Sequence, residues 1–171
     1  MLHRLDLFFH DPLIASVPDA RFLLQWAGPN YQYPLDAAQL KRTLAKAAGE
    51  QPSVKVFKAV LGTTSEVVGH IQLMNIDYKR GCCRIGRVMI LPGHQGAGLG
   101  REMVRLAVWE AFDNLGLVEI TLGVFDFNKA AIAAYQRLGF KPNGLKTGAV
   151  SFQDELWNLI EMKLTRGETA R

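Results

Sequence analysis

Residues 84–100 read Arg84-Ile-Gly-Arg-Val-Met-Ile-Leu-Pro-Gly-His-Gln-Gly-Ala-Gly-Leu-Gly100. The apolar run at the start has the look of a strand and stops at Pro92. Four glycines, Gly93, Gly96, Gly98 and Gly100, follow within eight residues. A helical pattern then begins, with Met103, Val104, Leu106, Ala107 and Val108 on its apolar side. A strand feeding a glycine-rich turn and then a helix presents bare backbone N–H groups at the positive end of a helix dipole. That is a ready site for an anion, most often a phosphate.

Spacing separates the kinds of phosphate loop. A P-loop requires G-x-x-x-x-G-K-[ST], and the chain contains neither Gly-Lys-Ser nor Gly-Lys-Thr. The dinucleotide fingerprint G-x-G-x-x-G fails too. Counting from Gly96 and Gly98 puts its third glycine at Arg101, and counting from Gly98 and Gly100 puts it at Met103. What remains is Gln95-Gly-Ala-Gly-Leu-Gly100, a Q-x-x-G-x-G pattern with Arg101 in the first helical turn. Taken alone, it also fits an ordinary glycine-rich connection that binds nothing.

The downstream sequence adds a second half. Residues 119–125 form a strand by their β-branched and apolar content, and Asp126-Phe-Asn128 breaks it. Asn128 suits the N-cap of a helix over residues 129–138, and Gly139 suits its C-terminal stop. Ile132, Tyr135 and Leu138 share one face of that helix.

The segment 86–141 resembles the acetyl-CoA-binding core of the GNAT superfamily of N-acetyltransferases. The resemblance rests on Gln95–Gly100 and on Val124-Phe-Asp-Phe-Asn128, Ala131, Tyr135 and Leu138-Gly-Phe140. Leu122-Gly-Val-Phe-Asp-Phe-Asn128, Trp26-Ala-Gly-Pro29 and Trp157-Asn-Leu-Ile-Glu-Met162 resemble most the branch around ribosomal-protein N-terminal acetyltransferases.

Outward from this core, strands are expected over residues 4–9, 54–61, 67–75, 83–91, 119–125, 141–146 and 156–164. Helices are expected over 20–26, 36–48, 99–115 and 128–138. The strands at 83–91 and 119–125, joined by a helix, make a right-handed βαβ unit and hence parallel neighbours. The upstream strands, joined by short turns, should be antiparallel. The result is an α/β fold with a mixed, mostly antiparallel sheet and helices on both faces. The resemblance further implies that the two parallel strands splay and that a pantetheine arm lies between them.

A length of 171 residues suits one domain, expected over 1–164, followed by a polar, frayed tail at 165–171. The chain is 49% apolar and 21% charged, with a net charge of +4. That charge is too weak and too scattered to argue for nucleic acid. No apolar run approaches a membrane span, and no cleavable apolar leader is visible after the charged start, so no membrane partner and a cytoplasmic location are expected. Cys82 and Cys83 are adjacent; two ligands pointing to opposite faces make no zinc site, and no metal is expected.

The resemblance implies roles for particular residues. Loop amides of Gln95, Gly96, Ala97, Gly98, Gly100 and Arg101 would hold the pyrophosphate of acetyl-CoA. The main chain of Met89, Ile90 and Leu91 would pair with the pantetheine amides, with an Ile90 N–H facing the thioester oxygen. Asn128 and Ala131 would sit beside the arm, and Tyr135 would give its phenolic proton to the departing thiolate. A core tyrosine with its hydroxyl satisfied elsewhere is the alternative. Trp26, Tyr31, Tyr33, His70 and Asn158 are the residues expected around the acceptor.

No acid stands on the central strand, where Arg84 and Arg87 occur instead. His70, Asp77, Asp126 and Glu155 remain open as bases, alongside a water relay or an amine that arrives neutral. The function implied is acetyl transfer from acetyl-CoA to a primary amine (a protein N-terminus, a polyamine or another small amine), with a homodimer as the candidate assembly. A non-catalytic CoA-binding sensor or interaction module on the same fold is the rival.

Overall fold

The computed structural model describes residues 2–4, 10–62 and 64–167. Strands β1 (Leu2–Arg4), β2 (Lys55–Val60), β3 (Val67–Asp77), β4 (Cys82–Ile90), β5 (Glu119–Phe125), β6 (Lys141–Phe152) and β7 (Glu155–Thr165) form a seven-stranded sheet in the order β1-β2-β3-β4-β5-β7-β6. Every pairing is antiparallel except β4 with β5. The helices are α1 (His10–Ala15), α2 (Ala20–Ala27), α3 (Ala37–Ala45), α4 (Leu99–Trp109) and α5 (Lys129–Arg137). A one-turn 3-10 segment, Gly28–Asn30, follows α2, and a π turn, Glu110–Asn114, extends α4.

The caps are local and behave as their sequences dictate. Asp19, Asp36 and Asn128 each accept a backbone N–H with the side-chain oxygen, from Phe22, Gln39 and Ala131 respectively, and so start α2, α3 and α5. Asp11-Pro12, a turn and helix-start signal in the sequence, lies inside α1, where proline is tolerated in the first turn. Of the strand expected over 4–9, Arg4 ends β1 and residues 5–9 lie outside the described residues. Strand β6 runs six residues beyond its expected end at Lys146. Its polar, glycine-containing sequence has weak strand character of its own and is held by pairing with β7, with register shifts at Pro142/Gly144 and Lys146/Val150. The tail was expected to fray from Thr165, but Thr165 closes β7 and the Arg166 N–H donates to the Val118 carbonyl at 2.9 Å. Residues 168–171 lie outside the described residues.

Two cores sandwich the sheet. On one face Ile71, Leu73, Ile85, Ile120, Leu122, Met162 and Leu164 pack under α4 with Met103, Val104 and Ala107. On the other, Leu13, Leu23, Leu35 and Leu40 from the α1–α3 layer pack on Met89 and Leu91. The switch from one core to the other happens within β4. Gln72 pairs with Gly86 but His70 pairs with Met89, so β4 carries one residue more than β3 at this point. This is a β-bulge, and Arg87 within it has φ +52°. Because side chains alternate along a strand, one extra residue exchanges the faces. Cys83 and Ile85 before the bulge face the α4 core, as do Val88 and Ile90 after it, whereas Met89 and Leu91 turn to the other core.

β4 and β5 pair only through Cys82/Glu119, Cys83/Ile120 and Arg84/Thr121. Both strands continue past the last pair and separate, as the splayed arrangement requires. Gly69 stands opposite Ile90 on the far side of β4. A Cβ there would lie 2.8 Å from the Met89 carbonyl oxygen and 2.9 Å from Met103 Sδ. Gly69→Ala should therefore destabilise the fold by about 1–3 kcal/mol through overpacking against backbone. At roughly 2–4 °C per kcal/mol for a chain of this size, thermal denaturation should read the loss directly.

Candidate active site

The separated strands enclose a cavity of about 250 Å³. Ile85–Ile90 of β4 line one side and Leu122–Phe125 of β5 the other. Tyr135 of α5, Asn128 and Gln95 contribute from the face covered by α4 and α5, while Phe22, Gln25 and Trp26 of α2 contribute from the opposite face. The cavity thus passes through the sheet between β4 and β5.

At its α4 end the glycine loop stands open. Gly96 and Gly98 have φ of +85° and +76°, a region costly for any residue with a Cβ. A Cβ at Gly93, Gly96 or Gly98 would meet nothing within 4 Å, so these glycines border free space rather than packed side chains. Gly98 is the N-cap of α4 and no side chain caps the helix, which leaves its leading amides for an external acceptor. Ala97 and Arg101 are exposed beside them. Gln95 is tied back to the strand, its Nε2 donating to the Ile90 carbonyl at 3.3 Å.

The hydrogen-bond alternation of an antiparallel pair fixes where Ile90 points. The Leu91 N–H donates to the Val68 carbonyl at 2.9 Å. The neighbouring pair Gly69/Ile90 is then the non-bonded kind, and the Ile90 N–H and C=O turn away from β3 toward the cleft. The Met89 and Leu91 amides serve β3 instead. Of the three main-chain positions expected to face a pantetheine arm, Ile90 is the one whose polar groups turn away from β3 into the cleft.

Tyr135 lines the cavity, and among the described residues its hydroxyl has no hydrogen-bond partner. Burial pushes its phenol up to about 12, so the proton stays on at neutral pH. Asn128 uses Oδ1 as the N-cap oxygen for the Ala131 N–H at 3.2 Å and also lines the cavity, which frees its Nδ2 for a ligand. Ala131 itself packs on the α4 core.

On the acceptor side Trp26 lines the cavity and the other four expected residues do not. Tyr31 is turned toward Arg87 and Thr43, with its hydroxyl 2.6 Å from Thr43 Oγ1. Tyr33 is half-exposed and donates to the Pro18 carbonyl. Asn158 bridges Asp126 and the Gly148 N–H. His70 is fully buried under Trp26, their rings edge to face at 5.6 Å, and accepts from Gln72 Nε2 at 3.0 Å. Burial first, and Arg87 second, hold its imidazole down to about 3, so it is a neutral core residue rather than a base.

The other base candidates also lie elsewhere. Asp77 accepts from the Lys79 and Arg80 amides in the β3–β4 turn, Asp126 accepts from Asn158, and Glu155 pairs with Arg21 at 2.8 Å. Among the described residues no carboxylate lines the cavity. Lining residues not anticipated as site residues include Phe22, Gln25, Arg87 and Phe125. Phe22, Gln25 and Trp26 are spaced i, i+3, i+4 on α2, so the helix face was readable once Trp26 was chosen.

The pattern of the acetyltransferase (GNAT) family matches residues 20–140. This chain belongs to that family. It is 38% identical over 68 residues to a mycothiol acetyltransferase of Salinispora tropica, covering 38% of this chain and 22% of that protein. It is 35% identical over 68 residues to the spermine/spermidine N(1)-acetyltransferase of Bacillus subtilis, covering 40% of this chain and 45% of that protein. The chain therefore spans between a fifth and a half of these relatives' lengths. In fold it superposes on the spermidine N-acetyltransferase of Vibrio cholerae solved with CoA and spermine. The TM-score is 0.85 with 19% identity, over 98% of this chain and 96% of that one. These relatives tie the chain to the superfamily, and they are not ribosomal-protein acetyltransferases.

The buried neutral His70 has a pH signature. Its folded pKa lies below the ordinary value of 6.5, so below that pH the unfolded chain takes up a proton that the native state refuses. Stability should be unaffected by this group above about pH 6.5 and fall by roughly 1.4 kcal/mol per unit between there and about pH 3. Denaturant titrations across this range should show a flatter acid limb for His70→Gln than for the wild type.

Proposed function

We propose that this protein is an acetyl-CoA-dependent N-acetyltransferase that acts on a primary amine by direct attack in a ternary complex. Family membership supports the reaction class. One arrangement carries the reading: the inward Ile90 N–H and the unpartnered Tyr135 hydroxyl share a cleft that opens beneath an uncapped, glycine-lined helix start. The thioester supplies an activated acetyl group and a thiolate leaving group.

The chain's own residues have distinct tasks. Loop and α4 amides from Gln95 to Arg101 hold the pyrophosphate in the cradle that a Cβ at Gly96 or Gly98 would fill. Asn128 Nδ2 and the Ile90 C=O are placed to bind an amide-rich arm, the carbonyl once Gln95 yields it. The Ile90 N–H donates to the carbonyl oxygen as negative charge collects there. Tyr135 hydrogen-bonds the sulfur and gives it a proton as it leaves. Burial disfavours both the phenolate and the thiolate, so their proton affinities rise together. With no carboxylate in the cavity, the ammonium proton of the acceptor leaves to water, or the amine enters neutral. The proteins it is similar to include acetyltransferases of polyamines, mycothiol and streptothricin, which supports an amine-bearing small molecule as acceptor.

Calorimetry with CoA should show binding at micromolar concentration, and Gly98→Val should weaken it at least tenfold by straining φ and filling the cradle. Tyr135→Phe should lower kcat by about 10²–10⁴-fold and leave KM for acetyl-CoA within twofold. An unchanged kcat removes the proton-donor role.

A further inference from the structure

The acceptor side of the cavity carries an electrostatic preference. Among the described residues lining the cavity, Arg87 bears the only charge. Its Nη1 donates to the Tyr31 hydroxyl and to Gln72 Oε1, both at 2.9 Å, and more weakly to Thr43 Oγ1 at 3.4 Å. All three acceptors are neutral. Its Nε is buried with no partner, and its guanidinium lies 4.2 Å from the Tyr31 ring centroid. A buried cation without a counter-ion is costly, and hydroxyls, an amide and a ring offset that cost only in part. The residue also sits at φ +52° in the bulge, a conformation that persists in a non-glycine residue only where the surroundings impose it. Beside it Trp26, which lines the same wall, has a buried Nε1–H with no acceptor.

From this placement, and resting on the acetyltransferase reading above, we infer that the acceptor is an amine carrying a carboxylate, with Arg87 supplying the counter-charge. Arg87 is three residues from Ile90 on one strand, roughly 10 Å of backbone. A hydrogen bond at each end takes up about 3 Å of that span, so the carboxylate belongs within a few bonds of the reacting nitrogen, as in an amino acid or a short amino acid derivative. The same wall disfavours a polyamine. At neutral pH each further nitrogen of a polyamine is an ammonium ion. It would meet Arg87 at close range in a cavity where, among the described residues, no carboxylate stands to receive it. Identity to the polyamine enzyme covers 40% of this chain and does not weigh against this chemistry.

The test compares matched amines on the wild-type protein with acetyl-CoA: free amino acids against their carboxamides, with spermidine alongside, read by thiol release. The expected result is a kcat/KM at least tenfold higher for the acid than for its amide, with spermidine below both. Arg87→Gln should raise the acid's KM at least tenfold, leave KM for acetyl-CoA within twofold and erase the acid–amide preference, while Arg87→Lys keeps part of it. A purely structural role would depress acid and amide alike. If Arg87→Gln does not fold, the wild-type pairs and Arg87→Lys decide. Calorimetry with CoA alone separates the two levels. CoA binding with equal turnover of acid and amide, with spermidine preferred, or with no amine turned over overturns the acceptor assignment and leaves the cofactor site standing. Absence of CoA binding removes both readings.

Discussion

One extra residue in β4 organises everything around the cleft. Before the bulge at Arg87 the strand is an ordinary member of a two-faced sheet, paired to β3 on one side and β5 on the other. At the bulge its side chains exchange faces, so Met89 and Leu91 anchor the α1–α3 layer while Val88 and Ile90 stay with the α4 core. Without that exchange the two cores would compete for the same residues. The bulge also falls just beyond the last β4–β5 pair, where the main-chain groups of the strand have no neighbour on that side. A backbone N–H left there is costly unless something else accepts from it, and the inward Ile90 amide is of this kind.

The second constraint is where α4 begins. A glycine in the left-handed region replaces a capping side chain at its N-cap, so the leading amides are not consumed by the protein itself. Helix α2 shows the contrast: Asp19 satisfies the Phe22 amide, and its N-terminus is a structural joint rather than a binding edge. The same device, a helix start, is closed in one place and open in the other by the choice of one residue.

What the sequence disclosed follows the range of the interactions involved. The glycine loop, the βαβ unit and the Asn128 cap are written within a few consecutive residues, and each is where local chemistry put it. The bulge was invisible, because Arg87 is neither glycine nor asparagine and its register depends on a partner strand. The acceptor wall was half visible. The resemblance puts Trp26 on the acceptor side, but its neighbours on the same helix face and Arg87 from another element come together only through packing. His70 illustrates the opposite error, since a titratable residue drew attention that its complete burial denies it. Strand β6 was shortened because its outward residues are polar and its order comes from β7.

A cleft lined from both faces of the sheet touches both of the layers that flank it. Tyr135, Asn128 and Gln95 stand on its α4 and α5 side and Phe22, Gln25 and Trp26 on its α2 side, so in the proposed reaction thioester and amine would approach from opposite faces. Among the described residues, the lining holds no cysteine, serine, lysine or histidine to carry an acyl group in transit. In the proposed reaction the acetyl group therefore has no side chain of these kinds to rest on and passes straight from one reactant to the other.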